Sequence, residues 1–586
     1  MSSLLRNLQQ SSRTVAVASL AALLAAWSPI AVFCQDGVVA RQQQPSQPTQ
    51  PQSPTAQNSI TQTIPLSPDV PRTRVGVTPG QLLSLPLQDG IAMALQNNLD
   101  IEQFRQGVQI AERSLYSIRG VYDILSTADI NYRSTTQPIV SIFGGGNAST
   151  SSLTQRALNY NFTTSQFVER TGGYWEGDFN NSRTVTSSTA SLLTTQYAPQ
   201  LTFQYTQPLM RNFAIDANRR SIQIAKKSLD LSDSQFRQRV IEIISGVQRA
   251  YWDLTYAIRN EVIARESVEL SKTQLDNNRK MVEAGTLAPI ELRSTEAQLE
   301  SAKGNVILAL QGVTTAENAL KALLLKDPGD KVWYSEIQPT DQPLSTHSNF
   351  DLEESTRLAL KNRPELDQMR LLTEQKNIDI KYYTNQTKPQ VDLFGNYGSI
   401  GLAGTPSSLV DANTGAVLGD RVLPRFNGGQ IQALRTLFGQ DFKTYQAGVR
   451  ISIPWRNRTA EGNLGRSMAE SRQLDARQRQ LVESVQIDVR NALQAVVASE
   501  QRLEAAKAGR LAAEAQYNGE QERYKAGLST NFVVLQRLTD LSVARGTEVR
   551  ALTDYNKALA DLQRVTGMTL VSNNVQVPAN PLEAKK

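Results

Sequence analysis

From Pro208 to Pro289, and again from Pro454 to Pro578, the chain runs without a proline. The strongest helix breaker is therefore missing from two long spans. In the first span Val240, Val247, Leu254, Val268, Leu275 and Val282 fall at seven-residue spacing, with Glu261 alone breaking the series. Ile244, Tyr251 and Ile258 form a second row four positions later. Paired rows of this kind are the a and d seam of a helix that packs lengthwise against others. The pattern predicts a helix from about Asn218 to Val282, on the order of 100 Å long at ~1.5 Å per residue.

Shorter segments alternate instead with period two, as a strand with one apolar and one polar face requires. "STADINYR" sets Ala128, Ile130 and Tyr132 against Asp129, Asn131 and Arg133, and "LTFQYTQP" sets Leu201, Phe203 and Tyr205 against Thr202, Gln204 and Thr206. "YQAGVRISIPW" places Tyr445, Ala447, Val449, Ile451, Ile453 and Trp455 on one face, and "VDLFGNYG" places Val391, Leu393 and Tyr397 there less cleanly. Between the members of each pair lies a stretch rich in Gly, Ser, Thr and Asn, about 137–198 and about 401–441. Both stretches are expected to be loops.

The order repeats. "LPLQDGIAMALQNNLDIEQFR" aligns with "FDLEESTRLALKNRPELDQMR", placing Ala94, Leu95 and Asn97 on Ala359, Leu360 and Asn362. "MVEAGTLAPIELRSTEAQL" aligns with "RYKAGLSTNFVVLQRLTDL", placing Gly285 on Gly527 and Leu299 on Leu541. Each copy reads as a helix (about 87–120 and about 352–384), a strand, a loop, a second strand and a long helix broken once at Ala-Gly. A duplication on this scale means two copies of one architectural unit. The expected division is 81–325 for the first repeat, 326–347 for a linker and 348–572 for the second repeat.

Four strands with one apolar face each cannot close a barrel, and an open sheet edge is not tolerated in lipid. If the strands span a membrane, several chains must contribute; a membrane barrel needs roughly eight strands or more, and three chains would give twelve. The fold class expected is mainly α with a transmembrane β-barrel. The predicted lipid-facing positions are Ile130, Tyr132, Leu201, Phe203, Tyr205, Val449, Ile451 and Ile453.

Composition adds a compartment. Arg6 and Arg13 precede the apolar run "TVAVASLAALLAAWSPIAVF", which reads as a signal peptide over 1–40. Residues 41–80 form a Gln- and Pro-rich leader too poor in large apolar side chains to offset its ordering entropy, and 573–586 form a loose tail. The one cysteine, Cys34, lies at the edge of the signal segment, so an internal disulfide is excluded. The one histidine, His347, sits in the polar "LSTHSNF". The net charge of +6 is spread along the chain without a dense basic patch, so no nucleic-acid partner is expected. Phosphate-binding loops, zinc spacings and nucleophile elbows are absent. No catalytic residue, cofactor or metal site is expected.

The duplicated "AL-x-N" helix starts, the helix-strand-loop-strand-helix order, "GVRISIPW" leading into a long helix and the paired Ala-Gly breaks together resemble the TolC-like outer membrane efflux proteins, from about Leu85 to Thr569. The resemblance implies a homotrimer with a twelve-stranded barrel in the outer membrane and a long α-helical barrel in the periplasm. It implies an exit duct without catalytic activity, fed by a periplasmic adaptor protein and an inner-membrane pump. It also makes the Ala-Gly breaks the adaptor-docking tips: Gly285, Thr286 and Leu287 in copy one, and Gly527, Leu528 and Ser529 in copy two. Glu291 and Tyr524 match a periplasmic gate, and a phenol-to-carboxylate bond between them is expected. Ser529, Val533 and Gln536 depart from the charged residues of the family pattern, which argues against an acidic ring at the entrance. The competing reading is a secreted or surface-attached coiled-coil scaffold without a channel. The cargo is not encoded in any motif.

Overall fold

The computed structural model describes residues 74–78, 80–139, 152–344, 350–410 and 415–576. The signal segment, Cys34, nearly all of the leader, His347 and the chain after residue 576 lie outside them.

The first copy opens with a short strand β1 (Leu82–Leu85) and two helices, α1 (Leu87–Asn97) and α2 (Leu99–Arg119). The expected single helix is thus two. Asn98 turns extended between them, and its side-chain oxygen accepts the Asp100 and Ile101 amides at 3.0 and 3.3 Å, capping the second helix. Four strands follow: β2 (Leu125–Pro138), β3 (Ser152–Val168), β4 (Gly173–Thr186) and β5 (Leu193–Pro208). Helix α3 (Ala217–Glu283) then runs 67 residues without a break and returns as α4 (Ile290–Leu324).

A short strand β6 (Glu336–Pro339) pairs in parallel with β1 inside the region expected to be a linker. The second copy begins with α5 (Leu352–Asn362) and α6 (Pro364–Gln386). These too were expected as one helix. Pro364 at the first position of α6 disfavours helical backbone at Arg363, which is extended. Strands β7 (Gln390–Ile400) and β8 (Ala403–Pro406), helix α7 (Gln430–Phe438) and strand β9 (Phe442–Ser452) precede the 68-residue α8 (Arg458–Lys525) and its return α9 (Asn531–Val565).

The seam of α3 is buried as its spacing predicts: Val240, Val247, Leu254, Val268 and Leu275 in one row, Ile244 and Tyr251 in the other. Around it α1, α2, α4, β1 and β6 close one core, and α5, α8 and α9 close a second around Val485, Val489 and Tyr555. Among the described residues no helix is long and apolar enough to cross a membrane.

The strands form one antiparallel sheet in the order β2-β3-β4-β5-β7-β9, with β8 paired to the upper part of β5 beyond the end of β7. The sheet corrects the expectation of four strands per chain and of a loop over 137–198, since β3 and β4 form a long hairpin between β2 and β5. In the second copy the expected loop over about 401–441 is corrected too, since its described residues carry β8, α7 and short helical turns.

Candidate functional site

Directly paired residues of an antiparallel ladder project to the same side of the sheet, so the register sorts every strand residue into one of two faces. Ile130 and Tyr132 on β2 oppose Tyr160 and Leu158 on β3. Phe162 opposes Phe179 on β4, and Phe179, Gly177 and Trp175 oppose Leu201, Phe203 and Tyr205 on β5. Phe203 opposes Tyr397 on β7, and Leu393 and Val391 oppose Val449 and Ile451 on β9. All the expected apolar positions within strands therefore share one continuous face. Ile453 does not belong with them as a strand residue, because β9 ends at Ser452. The face is bare in the single chain, with Ile130 75% and Tyr445 79% exposed.

The opposite face is mainly polar in the middle of the strands. Asn131 accepts a bond from Asn159 at 2.9 Å, and Thr163 donates to Asp178 at 2.7 Å. Gln204 opposes Asn396, which opposes Gln446. Phe394 is one of several apolar residues on this face, with Leu125, Phe167 and the Ile400–Phe442 pair near the strand ends. Its ring lies over Gly448, the residue opposite it, and the Arg450 guanidinium stands 5.2 Å from the ring centre. The two outermost strands, β2 and β9, are exposed almost throughout and, among the described residues, have a strand neighbour on one side only.

At the other end, α3 and α8 stop in the same way. Gly285 and Gly527 both adopt φ +74°, in the left-handed region that favours glycine. Gly285 and Thr286 donate to the Val282 and Met281 carbonyls, both at 2.9 Å. Gly527 and Leu528 donate to the Tyr524 and Arg523 carbonyls at 3.0 and 2.9 Å. Each tip is a Schellman turn that satisfies the last carbonyls of a long helix. A side chain on either glycine would meet open space, so the glycines are needed for the backbone angle and not for room. Thr286 is exposed and bonds back to Met281, Leu287 is half-buried, and the Ser529 hydroxyl bonds the Glu520 carboxylate. The apolar surface at the tips is carried by Leu528 at 73% exposure, together with Ile290 at 70% and Phe532 at 72%, two positions missed in the sequence.

Just behind the tips the two copies are joined by a buried polar network. Tyr524 donates to the Asn278 side-chain oxygen at 2.9 Å. Asn278 donates to Thr295 and to the Asn531 oxygen, both at 2.8 Å, and Gln274 bonds both asparagines. Asn531 in turn donates to Thr295 at 3.1 Å and to the Glu291 carboxylate at 3.3 Å. The expected Glu291–Tyr524 bond is thus replaced by a chain through Asn278 and Asn531. Burial raises the Tyr524 pKa above the usual phenol value, and the negative charge of Glu291 adds to it. Asn278 and Asn531 read in the sequence as ordinary polar helix positions. The available signal was Ser271 and Asn278 at seven-residue spacing, parallel to the apolar seam, and both are fully buried.

A sheet with an apolar face and a mainly polar face, continued by helices of ~100 Å, is the build of a membrane-spanning wall with a long helical extension. A profile of the family described as outer membrane efflux protein matches residues 176–324 and 356–568, and the chain belongs to that family. The first matched segment begins inside β4, so β2 and β3 fall outside it. Among solved structures, the Campylobacter jejuni CmeC outer membrane channel is similar, at 16% identity, TM-score 0.58, with 82% of this chain and 86% of that one covered. The outer membrane protein VceC from Vibrio cholerae is similar at 14% identity and TM-score 0.56, over 82% of this chain and 96% of that one. The open state of the Neisseria gonorrhoeae MtrE outer membrane channel is similar at 19% identity and TM-score 0.52, over 83% and 89%. No curated protein sequence matches this chain. The chain is an export channel of the outer membrane, with its helical part in the periplasm, and the scaffold reading fits less well.

Proposed function

We propose that the protein works as a homotrimer whose strands close one barrel in the outer membrane and whose α3, α4, α8 and α9 helices continue that barrel as a periplasmic tube. The observation that carries this is the continuous apolar face across the sheet, backed by a polar face and bounded by the unpaired edges of β2 and β9. Lipid requires every backbone donor and acceptor to be satisfied, so β2 of one copy pairs with β9 of the next. The duct performs no catalytic step and uses no cofactor; an inner-membrane pump and a periplasmic adaptor supply energy and cargo.

The adaptor docks on the tips at Gly285, Thr286, Leu287, Gly527, Leu528 and Ser529. Leu528, Phe532 and Ile290 offer it exposed apolar anchors of the kind that dominate interface energetics. A photo-crosslinker placed at Leu528 in the native host, followed by mass spectrometry, is expected to capture a periplasmic adaptor, and Leu528→Asp is expected to abolish the capture. Recovery of only the chain itself from a fully assembled, membrane-inserted protein would contradict the docking assignment.

The gate is the network behind the tips. Tyr524 and Glu291 hold it through Asn278 and Asn531, so that the first copy's hairpin stays tied to the second copy's.

A further inference from the structure

We propose that the β3–β4 hairpin is a membrane-spanning part of the barrel wall, so that three copies of this chain, each with six strands in the sheet path, close a barrel of eighteen strands. The inference rests on the trimeric duct reading above and deepens it.

The first support is length. Strands β3 and β4 are 17 and 14 residues long, beyond the ~9–11 residues that a tilted strand needs to cross a bilayer. Both are paired along nearly their whole length, β3 with β2 and β4 with β5. They do not form an arm that leaves the sheet.

The second is chemistry by face. Phe162 and Phe179 join the apolar side of the sheet, in register with Ala128 on β2 and Leu201 on β5. Asn161 and Asn180 join the polar side, between Asp129 and Gln200. A hairpin standing in water above the membrane has no reason to continue the same sidedness across two more strands. Lipid on one side and an aqueous lumen on the other supply that reason.

The third is where the hairpin turns. Gly172, at φ +69°, lies so close to Arg219, Asp216 and the Asn212 carbonyl that a side chain there would clash. The Thr171 carbonyl accepts a bond from Gln207 at 3.0 Å. The turn is therefore seated at the start of α3, the helix end of the sheet, and each strand traverses the wall from that end to the other. Six is also an even number, so β2 and β9 run in opposite directions and neighbouring copies join with antiparallel pairing. Barrel diameter grows about linearly with strand number, so the wall is about 1.5 times as wide as twelve strands would make it.

The test is site-directed spin labelling of the full chain in phosphatidylcholine vesicles, in a Cys34→Ser background, with one label at a time at Phe162, Asn161, Ile130 or Asn131. Oxygen partitions into lipid and a nickel chelate into water, so their collision ratio reports the face. The ratio at Phe162 is expected to match that at Ile130 and to exceed that at Asn161 by about tenfold, as a lipid-to-lumen alternation requires. Alternation at Ile130 and Asn131 with none at Phe162 and Asn161 overturns the inference and leaves the duct reading standing. Absence of alternation at all four positions overturns the duct reading itself. Labels at Phe179 and Asn180 on β4 repeat the measurement if a β3 variant fails to assemble, with the same two outcomes.

Discussion

Tyr524 and Glu291 were legible as a pair of interest, but their connection was not. Matching the two copies gives positions along each chain, while a gate depends on which side chains meet across helices. Asn278, Thr295 and Asn531 decide that meeting; each is a common surface residue type, and only Asn278, spaced seven from Ser271 alongside the apolar seam, carries a signal in the sequence. Each neutral hydrogen bond in such a network contributes about 0.5–1.5 kcal/mol net, and an orphaned buried partner costs about 1–3 kcal/mol. Asn531→Ala removes a residue that bonds Asn278, Thr295, Glu291 and Gln274, whereas Tyr524→Phe removes one bond. In planar bilayers Asn531→Ala is expected to raise single-channel conductance more than Tyr524→Phe does, and the reverse order would remove Asn531 from the gate. The raised Tyr524 pKa also fixes a pH dependence. A group whose pKa rises on folding contributes its full stability below the unfolded value, ~10 for a phenol, and loses it as pH climbs through the folded value. The stability difference between the wild type and Tyr524→Phe is therefore expected to be flat from about pH 6 to 9 and to shrink above ~10 in thermal melts.

At the scale of elements, the long helices were the clearest part of the sequence. Absence of proline and a heptad row of Val and Leu located α3 within a residue at each end. The interruptions at Asn98 and Arg363 were missed because apolar periodicity runs on past them; the cap residue and Pro364 were the signals. The β3–β4 hairpin was missed for a different reason. "LNYNF" and "YWEGDFNN" do alternate, but within a Gly-, Ser-, Thr- and Asn-rich composition that also describes a loop, and a membrane strand is a weak signal segment by segment. Only pairing with β2 and β5 makes the alternation visible. The two tips are a stricter case of sequence dictating backbone, since Gly285 and Gly527 share one φ and the same pair of capping bonds. Gly285→Ala and Gly527→Ala are each expected to destabilise the tip by about 1–2 kcal/mol, because the added Cβ opposes the left-handed conformation. Hydrogen exchange at Thr286 and Leu528, whose amides close the turns, should accelerate about tenfold or more. Unchanged exchange would show that the turns are held by something other than the glycines.

At the scale of the whole molecule, the duplication sets the layout. It places two long helical hairpins side by side, brings both Ala-Gly turns to one end and leaves the strands at the other. It does not make the copies equal. The first copy brings an extra hairpin to the sheet, the second brings α7 with β8, and the polar network behind the tips takes Glu291 from one copy and Tyr524 from the other. The proposed assembly pairs the open edges of β2 and β9, which a lone chain in lipid could not leave unsatisfied. The most direct measurement is cryo-electron microscopy of the purified full chain in lipid nanodiscs. A threefold tube is expected, its strands sitting in the lipid disc as one closed barrel and its helices projecting ~100 Å to one side. Single chains, or helical rods standing free of the disc, would contradict it.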